Sequence, residues 1–165
     1  MLHFAARGRD LTGYDYDEEK IATAEHCFSR DEHIRFLTAD ITRMQFSPAD
    51  AIILSDILHY LEPSQQESLM LQCMESLRPG GILLVREGDR DVEKKHEATR
   101  MTEFFSTKFF AFNKTEGKPL HFISGSNIRE LAGRRRMHCR SLSQSGRTSN
   151  RLFIITHTVE SYEEA

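Results

Sequence analysis

Apolar residues in this chain fall into short runs whose internal spacing separates strands from helices. "LTGYD" (11–15) is a β-type run, and Asp17 follows it as a helix cap, with Glu18 and Glu19 in the first turn where acidic side chains suit the helix dipole. Ile21, Ala24 and Phe28 then repeat at helical spacing. "HIRFLTAD" (33–40) alternates like a strand, whereas "ADAIILS" (49–55) is apolar through its middle, as expected of a central parallel strand covered on both faces. Ser64 and Glu67 form an S-x-x-E helix start, and Leu69, Cys73 and Leu77 share one face before Pro79, Gly80 and Gly81 end the helix. "GILLVRE" (81–87) is the next buried strand.

Beyond Glu87 the texture changes. Residues 88–120 mix charges with "FFSTKFFAF" and hold no period for long; a helix is predicted over 91–105. "SGSNIRELAGRR" (124–135) predicts a helix capped by Ser126, with Ile128 and Leu131 inward and Gly133 near its end. "MHCRSLSQ" and "RLFIITHT" read as strands whose link, "SGRTSN", suits an antiparallel pair and is too short for a helical crossover. Strands alternating with helices predict an α/β protein with a mostly parallel sheet, closed by that antiparallel pair.

Composition narrows the class. The chain has 165 residues, 39% apolar and 28% charged, ordinary values for one globular domain, so a single domain over 1–165 is expected. A net charge of -3 supplies no basic field and gives no reason to expect a nucleic-acid partner. "GRRRMHCR" (133–140) is the one basic cluster, either a solvated helix end or a phosphate-binding patch. Cys27, Cys73 and Cys139 are odd in number and lack C-x-x-C spacing, which argues against a disulfide framework or a zinc site. The absence of a long apolar run predicts no membrane span and a cytoplasmic location.

Five pieces, in order, carry a resemblance: "LTGYDYDEEKI", "FLTADITRMQF", "ADAIILSDILHYLEP", "SLRPGGILLVREGD" and "RLFIITHT". The chain resembles a class I S-adenosylmethionine-dependent methyltransferase, from that fold's second strand to its seventh. The resemblance implies a three-layer Rossmann-like α/β fold, mostly parallel with an antiparallel C-terminal strand, and N-terminally incomplete. The family's first strand and glycine-rich loop should precede residue 1, so cofactor binding is expected of an upstream-extended form. Self-association, or an upstream segment completing the sheet, is expected for the chain as given.

The same resemblance implies S-adenosylmethionine as cofactor and a small-molecule acceptor. It gives Asp15 the ribose hydroxyls, with Asp17 as the rival, and sets the Tyr16 ring against the adenine, where an ordinary half-buried tyrosine is the alternative. Asp40 would accept from the adenine amino group with the Ile41 N–H near a ring nitrogen, unless Asp40 only makes its own Asx turn. Ser55 and Asp56 would line the site at the carboxyl end of their strand. A hydroxyl or carboxyl nucleophile could use a base, for which His59 and Glu87 are candidates, though a structural hydrogen bond is the plainer account of His59. His96 and Arg100 fall in 88–120, the stretch expected to shape acceptor binding; surface charge is the plainer account of them. Two other classes compete: a nicotinamide-dependent oxidoreductase, which needs G-x-G-x-x-G before "LTGYD", and a non-catalytic methyltransferase-like binding module.

Overall fold

The structure, a computed structural model, describes residues 8–28, 32–93, 119–143 and 150–157. His96, Arg100 and most of the helix predicted over 91–105 lie outside them. The chain divides between Gln45 and Phe46 into two compact units.

The first unit is a β-α-β crossover: β1 (Leu11–Asp15), α1 (Glu18–Phe28) and β2 (Ile34–Thr38). The two strands pair in parallel from Leu11↔Ile34 to Asp15↔Thr38, which the intervening helix makes possible. Ile21 and Ile34 are buried, and the Phe28 and Phe36 rings stand 5.8 Å apart. Gly13 lies against Phe36 so closely that a Cβ there would come within 2.7 Å of the ring. As the sequence implies, Asp17 caps α1, its Oδ1 accepting the Glu19 N–H at 3.0 Å.

In the second unit the strands are β3 (Ala49–Ser55), β4 (Leu77–Gly88), β5 (Met137–Ser143) and β6 (Asn150–His157), in sheet order β3-β4-β6-β5. β3 and β4 are parallel; β6 runs antiparallel to both of its neighbours, β4 and β5. A 3₁₀ turn (Leu58–Tyr60) and α2 (Pro63–Glu75) link β3 to β4, short α3 (Arg90–Glu93) follows β4, and α4 (Gly125–Arg134) precedes β5. On one face of the sheet Leu83, Val85 and Glu87 of β4 stand opposite Ile155, Phe153 and Arg151 of β6, and these opposite Cys139, Ser141 and Ser143 of β5. That face is covered: α4 contributes Ile128, Leu131 and Ala132, and α2, which touches α4, contributes Leu69, Met70, Cys73 and Met74, all buried. Burial of each large aliphatic side chain here stabilises by about 1.5–3 kcal/mol, so this layer is the main core.

Four local expectations are corrected. The α2 helix starts earlier than Ser64 because Pro63 takes the first helical position, where its missing N–H costs nothing; Gln65 Oε1 then accepts the Glu62 N–H at 3.1 Å. It also ends earlier, at Glu75, because Leu77 pairs with Ala49 as strand. Pro79, Gly80 and Gly81 therefore form a bulge inside β4 rather than a helix stop: Ala49 pairs with Leu77 but Ala51 with Ile82, and Gly80 takes a φ of 77°. Helix α4 is capped by Ser124, not Ser126, with its side chain accepting the Asn127 N–H at 3.1 Å. Finally, β3 is not covered on both faces. Among the described residues it pairs only with β4, and Ile53 is 60% exposed.

Candidate active site

The carboxyl ends of β3 and β4 lie side by side, and the polar residues of the second unit gather there. Asp56, one step past β3, has a φ of 54°, the left-handed region that Asp tolerates better than most residues. Its N–H donates to the Arg86 carbonyl at 2.9 Å, its Oδ2 accepts from Ser55 Oγ at 3.1 Å, and the Arg86 guanidinium sits directly on the same oxygen. Ser55 and Asp56 thus share one oxygen with Arg86, a third member to which no motif in the sequence points.

Deeper in, Glu87 ends the buried face of β4, and the 3₁₀ turn sets His59 against it. His59 Nδ1 and Glu87 Oε1 are 2.6 Å apart, and both side chains are buried. Glu87 also accepts the Leu58 N–H through Oε2 at 2.9 Å and the Gly88 N–H through Oε1 at 3.1 Å. The His59 ring stacks on Phe122 at 5.4 Å and leans on Tyr60 at 4.1 Å. Buried Gln66 locks the turn in place: its Nε2 lies within 2.9 Å of the Leu58 carbonyl, 3.0 Å of Leu61 and 2.5 Å of His121. A buried carboxylate is tolerated only when hydrogen-bonded and paired, and here every contact comes from the turn and strand end that it joins.

Beyond Gly88 the strand leads into Asp89, a buried residue absent from the sequence-based site. Its Oδ1 accepts the Gly125 N–H at 2.8 Å and the Asp91 N–H at 2.9 Å, while Oδ2 lies 3.3 Å from Arg151 Nε. Asp91 in turn accepts the Ser126 N–H at 2.9 Å, so two carboxylates face the first turn of α4. Ser141 on β5 accepts from Arg129 Nη2 at 3.0 Å and lies 3.5 Å from Arg151 Nη1. The one sequence cue was "EGD" closing a buried strand; the partners lie far along the chain.

In the first unit, Asp15 is half-buried at the end of β1 and its Oδ1 accepts the Asp17 N–H at 3.0 Å. Among the described residues no hydrogen bond reaches its Oδ2. Tyr16 is 51% exposed, whereas Asp17 is buried and occupied with its cap. Asp40 makes an Asx turn: Oδ1 accepts the Thr42 hydroxyl at 2.6 Å and its N–H at 3.0 Å, and Arg43 Nε lies 3.2 Å from Oδ2. The Thr42 hydroxyl bond, more than any other contact, holds the Asp40 carboxyl below its ordinary range. Ile41 lies within that turn, half-buried. Among the described residues no group of three or more His, Cys, Asp or Glu side chains could hold a metal, and no helix is long and apolar enough to cross a membrane.

Residues 1–85 match the protein family described as "Methyltransferase domain". A carboxy-S-adenosyl-L-methionine synthase from Desulfotalea psychrophila is 33% identical over 99 residues, 60% of this chain and 38% of that protein. A tetracenomycin polyketide synthesis 8-O-methyl transferase from Streptomyces glaucescens is 30% identical over 99 residues, covering 59% and 29%. The matched stretches thus span well under half the length of these relatives. Among solved structures, an O-methyltransferase family protein from Burkholderia thailandensis superposes with a TM-score of 0.66 at 17% identity, over 90% of this chain and 43% of that one. The N-methyltransferase NodS from Bradyrhizobium japonicum, in complex with S-adenosyl-L-homocysteine, gives 0.62 at 16%, over 92% and 67%. At that identity the likeness is one of fold, and it matches the expected Rossmann-like methyltransferase architecture.

Proposed function

The chain belongs to the methyltransferase-domain family, and on that premise we propose that it binds S-adenosylmethionine and directs methyl transfer to a small-molecule acceptor with a hydroxyl or carboxyl nucleophile. The observation that carries this reading is the buried contact of His59 with Glu87 at the carboxyl end of β4, the end where ligands of open α/β sheets collect.

For the cofactor, the donor and acceptor chemistry of the first unit fits. A ribose diol presents two O–H donors, and Asp15 carries a carboxylate oxygen that no described group occupies; Asp17 is committed to α1. We assign the ribose to Asp15, the adenine face to Tyr16, and the adenine edge to Asp40 with the Ile41 N–H. When bound, the cofactor supplies a methyl carbon already activated by its sulfonium.

What the protein's own residues then contribute is alignment, exclusion of water and the handling of one proton. A carboxylate against Nδ1 favours the tautomer in which that nitrogen carries the hydrogen, leaving the lone pair on Nε2. In this reading His59 Nε2 takes the proton of an acceptor hydroxyl as its oxygen attacks, and Glu87 keeps the ring oriented. A carboxyl acceptor, ionised at neutral pH, needs no base, and Ser55 and Asp56 then line the mouth. We assign acceptor contacts within 88–120 to His96 and Arg100.

Calorimetry with S-adenosylmethionine, S-adenosylhomocysteine and NADH tests the cofactor, and mass spectrometry of products from an acceptor panel tests the reaction. Preference for NADH would reject the methyltransferase reading. A second reading follows from the relative named a carboxy-S-adenosyl-L-methionine synthase: the cofactor's methyl carbon loses a proton and takes up CO2 from a carboxylate co-substrate supplied with the panel. It predicts a heavier cofactor and no methylated acceptor in the same spectra. Cofactor binding without either product points to a binding module.

A further inference from the structure

We propose that Arg129 and Arg151, with the Ser141 hydroxyl between them, form a binding site for a single carboxylate, and that this carboxylate belongs to the acceptor. Three elements converge on it. Arg129 comes from α4, Ser141 from β5 and Arg151 from β6, and Ser141 Oγ receives Arg129 Nη2 at 3.0 Å with Arg151 Nη1 at 3.5 Å. Two like-charged guanidinium groups converging on one neutral hydroxyl is an arrangement that an anion stabilises, because planar guanidinium forks match the two oxygens of a carboxylate.

The neighbouring charges and their partners narrow the ligand class. Asp89 Oδ2, 3.3 Å from Arg151 Nε, offsets Arg151. Glu87, opposite Arg151 in the β4–β6 register, is occupied by His59 and by two backbone N–H groups. Glu130, next to Arg129 in sequence, is engaged by Arg134 at 2.7 Å, and Asp91 by Ser126. Arg129 has no carboxylate partner among the described residues: its guanidinium donates to the Ser141 hydroxyl and lies over the Phe153 ring, whose centroid is 5.8 Å from Cζ. Because the Asp89 and Asp91 carboxylates lie close by, a monoanion held by Arg129 is repelled less than a phosphate dianion would be.

Position ties the site to the reaction. Arg151, the second residue of β6, stands directly across from Glu87, so it lies at the same end of the covered face as the His59–Glu87 contact, and the shared Ser141 hydroxyl sets Arg129 beside it. Assigning the carboxylate to the acceptor rests on the methyl-transfer reading; the anion site itself does not.

The test is an NMR titration of the ¹⁵N-labelled chain with benzoate, and separately with inorganic phosphate, following the arginine Nε–Hε signals. Benzoate should shift Arg129 and Arg151 saturably and more tightly than phosphate does. Arg129→Gln should weaken benzoate roughly tenfold or more, as expected for a charge-assisted bond. Arg129 is exposed and pairs with no carboxylate among the described residues, so this variant should fold; Arg78→Gln, at an exposed Arg–Asp pair beside β4's bulge, should change nothing. Unsaturable shifts at all exposed arginines, tighter phosphate binding, or an unchanged benzoate affinity in Arg129→Gln would each overturn the proposal. Cofactor binding without a benzoate response removes this site and spares the methyltransferase reading; a benzoate response without cofactor binding does the reverse.

Discussion

His59 Nδ1 meets Glu87 Oε1 at 2.6 Å with their side chains only 4% and 1% exposed, so the 3₁₀ turn after β3 and the end of β4 are joined through one carboxylate. Because Glu87 also accepts the Leu58 and Gly88 N–H groups, its loss strands three donors at once. Glu87→Ala should destabilise the protein by on the order of 3 kcal/mol in urea unfolding. A loss below about 1 kcal/mol would mean that water replaces the carboxylate easily and that the pair is not a rigid unit. His59→Asn separates chemistry from folding: it should lower kcat on a hydroxyl acceptor by about a hundredfold or more, the range of general base catalysis, while cofactor affinity holds.

Asp15 and Asp17 make a matched pair of tests for the first unit. Asp15→Ala should weaken S-adenosylmethionine by about 1.5–3 kcal/mol, the range for hydrogen bonds to a charged group. Asp17→Ala should cost about 1 kcal/mol of stability through the lost cap on α1, and leave affinity nearly unchanged. Calorimetry and thermal unfolding on both variants distinguish them; an affinity loss confined to Asp17→Ala would transfer the ribose to that residue.

Two glycines of α4 should respond in opposite directions. A Cβ on Gly125 would come within 2.6 Å of Asp89 Oδ2 and 3.2 Å of the Phe153 ring, so Gly125→Ala forces Asp89 off its bonds and should destabilise by about 1–3 kcal/mol. Gly133 has nothing within 4 Å of its would-be Cβ, and Gly133→Ala should stabilise by about 0.5–1 kcal/mol through helix propensity. Thermal midpoints of the two variants should straddle the parent.

The cysteines should label in order of exposure and thiolate content. Burial pushes the Cys73 thiol up to about 12 and raises Cys139 as well, with Arg129 partly opposing the latter. Since a raised value leaves less thiolate at a given pH, iodoacetamide in mildly alkaline buffer should modify exposed Cys27 first and Cys73 only after denaturation. Peptide mapping over time gives the order, and early labelling of Cys73 would show that the α2 layer opens readily.

Sequence alone determined the elements whose signal is local. The alternation in "HIRFLTAD", the apolar run of "GILLVRE", the cap at Asp17 and the too-short link before "RLFIITHT" each act within a few residues, and the structure has strands, helix start and antiparallel pair there. Tertiary structure decided what depends on a distant partner. Leu77 fits the apolar stripe of α2 by spacing, yet pairing with Ala49 makes it strand and turns "RPGG" into a bulge. Both Ser124 and Ser126 can cap a helix; Asp89 and Asp91, some 35 residues earlier, engage the Gly125 and Ser126 N–H groups and fix the helix start. His59 and Glu87 were separate candidates in the sequence because 28 positions divide them, and only the parallel register of β3 with β4 brings their ends together. Arg129, Ser141 and Arg151 carried no signal at all, since each is an ordinary surface residue until the β5–β6 register and the packing of α4 aim two cations at one hydroxyl.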